Sequence, residues 1–225
     1  LKDLYKNSPM SFIGSFGIGM IYGASFGLIA VFGAKLGLSI FQISILVFVN
    51  TFIGALFQYP IGKLSDTFDR RIILLILNII ALASSICVII FGTFSFNILL
   101  LFVGIHSAVS LPYYAVVISH LNDFLEKDEV VSASSTLTLV HALGLVLGPI
   151  LVSVFMAYFN AYGLFYYCTI VYVFLGLFTY QRIRVGRTSE IYDENTPTMI
   201  VPRTTSAIGM QTATEQMISK IDEKE

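Results

Sequence analysis

Apolar residues in this chain come in long runs, without the period-two alternation of a membrane barrel. Between charged and turn-forming positions lie six such runs, at about 11–34, 40–61, 71–92, 96–119, 132–158 and 162–181. A helix rises about 1.5 Å per residue, so about 20 apolar residues cross a hydrocarbon core of about 30 Å. Backbone N–H and C=O groups in lipid find partners only inside their own segment or in a closed barrel, so each run is predicted to be a helix. The links are short: Lys35 to Ser39, GKLSDTFDRR at 62–71, Gly92 to Ser95, the acidic LNDFLEKDEV at 121–130, and a turn around Asn160. The pattern predicts an all-α polytopic membrane protein with six transmembrane helices. It divides into a cytoplasmic lead-in segment at 1–10, a transmembrane domain at 11–182 and a polar tail at 183–225.

Composition strengthens this picture. The 225 residues are 56% hydrophobic and 12% charged, with a mean hydropathy of +0.83, whereas soluble domains are roughly a quarter charged. The stretch after Lys2 and Lys6 has the flanks of a signal peptide, but its apolar run is too long and lacks a small-residue cleavage site. It reads as the first permanent helix. The tail, rich in Thr, Ser and Glu and interrupted by Pro197 and Pro202, is too polar to bury a core; a short amphipathic helix near 208–222 is the most structure it suggests.

Lys and Arg set the orientation, because they favour cytoplasmic loops. With the N-terminus inside, Lys2, Lys6, Lys63, Arg70, Arg71, Lys127, Arg182, Arg184, Arg187, Arg203, Lys220 and Lys224 are all cytoplasmic, and of the 13 basic residues only Lys35 is outside. Both termini are therefore expected in the cytoplasm, in a plasma (inner) membrane.

Candidate chemistry is sparse. Cys87 and Cys168 sit singly in apolar runs, with no metal-ligand spacing, and nothing points to a cofactor or to nucleic acid. Gly23 to Gly27 spells Gly-x-Ser-x-Gly, yet a nucleophile elbow needs a strained strand-to-helix turn. Ser25 lies mid-helix instead, and no intramembrane acid is available to orient a histidine, so hydrolysis is discounted. Ser15, Gly19, Gly23 and Gly27 form a ridge of small residues that lets another helix approach closely. Ser11, Ser15, Tyr22 and Ser25 share the adjoining face, which either lines a polar cavity or bonds back to its own helix. The fourth run carries His106, Ser110 and Tyr113 on one face, with Ser107 and Tyr114 beside it. Polar groups at that depth face the bundle or a water-filled cavity, and are functional candidates. His141 shares a face with Ser134, Thr138 and Gly148; it either binds solute or relays a proton, or bonds across helices. Asn50, Gly54 and Gln58 recur at spacing four.

The segment Gly62-Lys63-Leu64-Ser65-Asp66-Thr67-Phe68-Asp69-Arg70-Arg71 reads as a tight, charged turn whose glycine permits unusual dihedrals. It resembles the Gly-x-Leu-Ser-Asp-Arg-x-x-Arg-Arg loop of the major facilitator superfamily (MFS) of transporters, matching at Gly62, Leu64, Asp66, Arg70 and Arg71. Thr67 stands where the family has a basic residue, and Asp69 where it has glycine. Gly144 to Pro149 is similar to the family's Gly-x-x-x-Gly-Pro helix motif, and 201–205 more weakly to a Val-Pro-Arg-Thr-Thr tail.

The resemblance implies an MFS-like half bundle, two inverted three-helix repeats, with solute held at the midplane between halves. This chain would be the C-terminal half, its partner an N-terminal six-helix half missing here. By that analogy Ser15, Tyr22, His106, Ser110 and Tyr113 line the cavity. Asn50, Gln58, His141, Gly144, Gly148 and Pro149 meet the other half, and Asp66 braces a cytoplasmic gate. The implied function is transport of a small solute by alternating access. The alternatives are a non-transporting truncated or split-gene remnant, or a six-helix channel subunit, although no filter or voltage-helix signature is present.

Overall fold

The structure is a computed structural model that describes residues 8–123 and 130–193, with side chains as far as 184. Six helices follow one another: α1 (Pro9–Lys35), α2 (Ile40–Thr67), α3 (Arg70–Phe91), α4 (Phe96–Asn122), α5 (Val130–Tyr158) and α6 (Gly163–Asp193). Each is long and apolar enough to cross a membrane, α6 over Gly163–Arg184. The fold class is thus all-α and polytopic, as expected. The start of the lead-in, most of the acidic link and the expected tail helix near 208–222 lie outside the described residues.

Local chemistry sets the helix starts. Ser39 and Gln42 make a reciprocal capping box, the Ser39 Oγ accepting from the Gln42 N–H and the Gln42 Oε1 accepting from the Ser39 N–H at 2.9 Å. Asp69 caps α3 by accepting from the Arg71 N–H, and Ser95 caps α4 by accepting from the Ile98 N–H. Gly37 (φ 75°) and Asn160 (φ 54°) occupy left-handed conformations in the α1–α2 and α5–α6 links, where glycine and asparagine are best tolerated.

The expected turn at 62–71 is corrected. Gly62 to Thr67 continue α2 for almost two more turns, and only Phe68 and Asp69 separate it from α3. The hydroxyls of Ser65 and Thr67 donate back to the carbonyls of Gly62 and Leu64, which lets these short polar residues satisfy themselves without leaving the helix. Gly62 needs no unusual dihedral.

Among helices α1 to α5, the most extensive packing joins α1 to α5 and α2 to α4, with α3 against α4 next. Exchanging the first three helices for the last three turns α1·α5 into α4·α2, so the two dominant pairings are related as inverted repeats require. In the α1–α5 seam, glycine faces carbonyl in both directions. A Cβ on Gly19 would strike the His141 carbonyl, and one on Gly23 the Leu145 carbonyl; one on Gly144 would strike the Phe16 carbonyl, and one on Gly148 that of Met20. Backbones come this close only without side chains, gaining dispersion and Cα–H···O contacts where lipid gives no hydrophobic drive. Pro149 has no N–H, so the Leu145 carbonyl lacks its helical partner and faces Gly23 instead.

Aromatic residues dominate α6, as a lipid-facing outer helix would allow. Tyr166 and Phe174 are exposed, but Phe165, Tyr167 and Tyr172 are buried among the other helices. Phe165 packs edge-on against both Phe32 and His106.

Candidate functional site

Three groups of polar residues lie within the bundle or at its end; one is interior, and the other two keep accessible surface.

The first is interior. His106, Ser110 and Tyr113 are 1%, 4% and 1% exposed. The Ser110 hydroxyl donates to the His106 carbonyl at 2.6 Å and shares a 2.6 Å hydrogen bond with the Tyr172 hydroxyl, which lies 3.3 Å from His106 Nε2. Tyr113 faces Asn78 of α3 and Thr179 of α6. All three are enclosed within the bundle and not on an accessible face: the Tyr172 hydroxyl of α6 partners Ser110 and His106 Nε2, while His106 Nδ1 has no partner among the described residues. Ser15 is also interior, donating to the Leu137 carbonyl at 3.1 Å.

The second lies between α1, α4 and α5. Tyr114 stacks on His141 with ring centroids 4.0 Å apart and planes at 21°, and its hydroxyl donates to Thr138 Oγ1 at 3.2 Å. Tyr22 meets His141 edge-on at 5.2 Å. Its hydroxyl donates to the Ser110 carbonyl at 3.1 Å and also touches the Leu111 carbonyl. His141 Nδ1 faces the Ser15 carbonyl at 3.2 Å. Tyr22 and Tyr114 are half-buried, Thr138 is exposed, and Phe26, edge-on to Tyr22, is 38% exposed. Of the five expected cavity residues only Tyr22 belongs here. Tyr114 and Thr138 are noted on their helices from sequence but not assigned to the cavity, and Phe26 is not noted as a candidate. At 100° per residue, Tyr114 points to a different side of α4 from Tyr113, so the choice of face decides membership.

The third is the charged end of α2 and α3. Arg70 Nη2 meets Asp66 at 3.1 Å, while Nη1 donates to the Ser119 carbonyl at 2.7 Å and pairs with Asp123 at the end of α4. One guanidinium thus ties three helices. Burial works against ionising Asp69, but hydrogen bonds from the Arg71 N–H and guanidinium outweigh it and hold this carboxyl below its ordinary pKa. Leu64 is exposed, and a Cβ on Gly62 would meet nothing.

The residues assigned to an interface with another half are mostly turned inward. Asn50 is 2% exposed; its Oδ1 accepts from Ser25 and its carbonyl accepts from Ser107. His141, Gly144 and Gly148 face α1, and Pro149 is half-buried beside Gly23. A small-residue ridge needs a backbone to pack on, and α1 of the same bundle provides it. Only Gln58 is exposed.

Comparison with known proteins adds an independent line. Residues 11–209 match the sequence model of the Major Facilitator Superfamily. An uncharacterized MFS-type transporter of Bacillus subtilis (strain 168), YfkF, is 27% identical over 163 residues, which is 72% of this chain. The chain spans about two fifths of that relative's length, 41%.

Proposed function

This chain belongs to the major facilitator superfamily, and from that premise we propose that it is one six-helix half of a transporter that moves a small solute by alternating access. The Tyr22–Tyr114–His141–Thr138 cluster is the observation that carries the reading. It is a group of polar side chains that keeps accessible surface, with Tyr22 and Tyr114 on α1 and α4, the helices on which the family places its cavity, and His141 and Thr138 on α5. The flanking helices α2 and α5 are the least buried of the six. Their apolar outer faces suit contact with a further six-helix half, here proposed to precede this chain, and with lipid. Asp66 and Arg70 would then hold the cytoplasmic end of the bundle, with both termini in the cytoplasm of a plasma-membrane protein, as twelve of thirteen basic residues favour.

The test needs no known solute. In the complete protein, Cys87 and Cys168 are replaced and a single cysteine is placed at Thr138. Right-side-out and inverted vesicles are then exposed to a membrane-impermeant thiol reagent. Alternating access predicts labelling of Thr138→Cys from both sides; labelling from one side only, or from neither, overturns the reading. Asp66→Asn is expected to impair movement of solute with insertion unchanged, and a C-terminal reporter found outside the cytoplasm would reverse the orientation.

A further inference from the structure

The same cluster constrains what it can hold, an inference that rests on the reading just given. Its hydroxyl protons are already committed: Tyr22 to the Ser110 carbonyl, Tyr114 to Thr138, and Thr138 to the Ser134 carbonyl at 2.9 Å. A carbonyl only accepts, so His141 Nδ1, facing the Ser15 carbonyl, carries the imidazole proton and Nε2 is left as a lone-pair acceptor. What remains to offer a solute is therefore the aromatic faces of Tyr22, Phe26 and Tyr114, which are electron-rich, together with acceptor lone pairs. Within the helices that carry the cluster, no positive charge near it opposes this. α4 and α5 contain no Asp, Glu, Lys or Arg, and α1 has only Lys35 at its last position. A carboxylate or phosphate would meet acceptors and π faces with no cation to pair with. A full cation fares little better, because ring faces compensate less than the loss of hydration costs when no carboxylate stands opposite.

We infer that this site takes an uncharged aromatic solute carrying an N–H or O–H donor, its ring against Tyr22, Phe26 and Tyr114 and its donor directed at the acceptors, His141 Nε2 among them. Three ligands that share a ring system test this in the complete protein in lipid nanodiscs, with empty discs as the blank and calorimetry as the readout: 2-naphthol, 2-methoxynaphthalene and 2-naphthoate. The expected order is 2-naphthol about tenfold tighter than its methyl ether, the value of one net hydrogen bond, with naphthoate weakest. Naphthoate binding as tightly as naphthol overturns the proposal, as does equal binding of naphthol and the ether. His141→Phe keeps a ring and removes the acceptor, so it should bring naphthol down to the level of the ether. An unchanged preference in a variant that elutes as wild type overturns the role of His141, while the three-ligand comparison on the unaltered protein stands without any variant. Flux in proteoliposomes separates the two readings: the predicted order of binding without movement removes transport and leaves the site, whereas carriage of naphthoate in preference to naphthol removes the site's chemistry and leaves transport.

Discussion

Replacing Gly148 with alanine should loosen the whole bundle, although it adds only one methyl group. The new Cβ would fall inside the contact distance of the Met20 carbonyl oxygen and lie 3.0 Å from its carbonyl carbon. Carbon and carbonyl oxygen stand about 3.3 Å apart or more even in a Cα–H···O contact, so the helices must part by about 1 Å. Every atom met is backbone, and no rotamer change relieves the overlap. Overpacking of this kind costs about 1–3 kcal/mol. Loss of one Cα–H···O contact adds about 0.5–1 kcal/mol, and the better helix propensity of alanine returns up to about 1 kcal/mol. The expected net loss is about 1–3 kcal/mol, measured as a shift in unfolding in mixed micelles followed by circular dichroism. Gly62→Ala is the matched control, since a Cβ there meets nothing; it should be neutral or slightly stabilising. Movement of α5 would also disturb the Tyr114–His141 stack, because His141 lies on α5 two turns before Gly148. Equal unfolding of Gly148→Ala and wild type, or equal losses in the two variants, would refute the close-packing argument.

Further outcomes follow from the polar groups. Tyr172→Phe removes the hydroxyl between Ser110 and His106, whose Nδ1 already lacks a partner; a loss of about 1–3 kcal/mol is expected in the same unfolding assay, and none for Tyr180→Phe, whose ring is 44% exposed. Arg70→Lys should cost about 1–2 kcal/mol, because an ammonium cannot span Asp66, Asp123 and the Ser119 carbonyl together. Asp66→Asn should cost less, under about 1 kcal/mol, since its side chain is 67% exposed. Asp69 has a folded pKa below its unfolded value, so its ionised form stabilises above the unfolded carboxylate pKa and the effect fades as pH falls through the folded one. A pH series comparing wild type with Asp69→Asn should show a small gap at neutral pH that closes in acid; a gap that persists below both pKa values would contradict the assignment.

Run length between charges located all six helices, because crossing lipid demands about 20 apolar residues whatever surrounds them. Ends were less legible. Gly62 to Thr67 look like a loop by composition, yet hydroxyl back-bonding by Ser65 and Thr67 keeps them helical. Helix faces were hardest, since periodicity shows that residues share a side but not which neighbour that side meets. His106 and Ser110 looked like cavity residues because they are polar; Tyr172, 62 residues beyond Ser110, is what buries them. The small-residue ridges on α1 and α5 were both visible, and what a single sequence could not say is that each is the other's partner.

The glycine seam also imposes an order on biosynthesis. Ser15 and Leu137, which bond across it, are 122 residues apart, and ribosomes add about 5–20 residues per second. The groove of α1 thus waits about 6–24 s in the membrane for the helix that fills it, while α2, α3 and α4 are inserted around it. Neither three-helix repeat can complete its own packing. The first half of this bundle has to be kept from wrong partners by lipid or an insertase until the second half arrives.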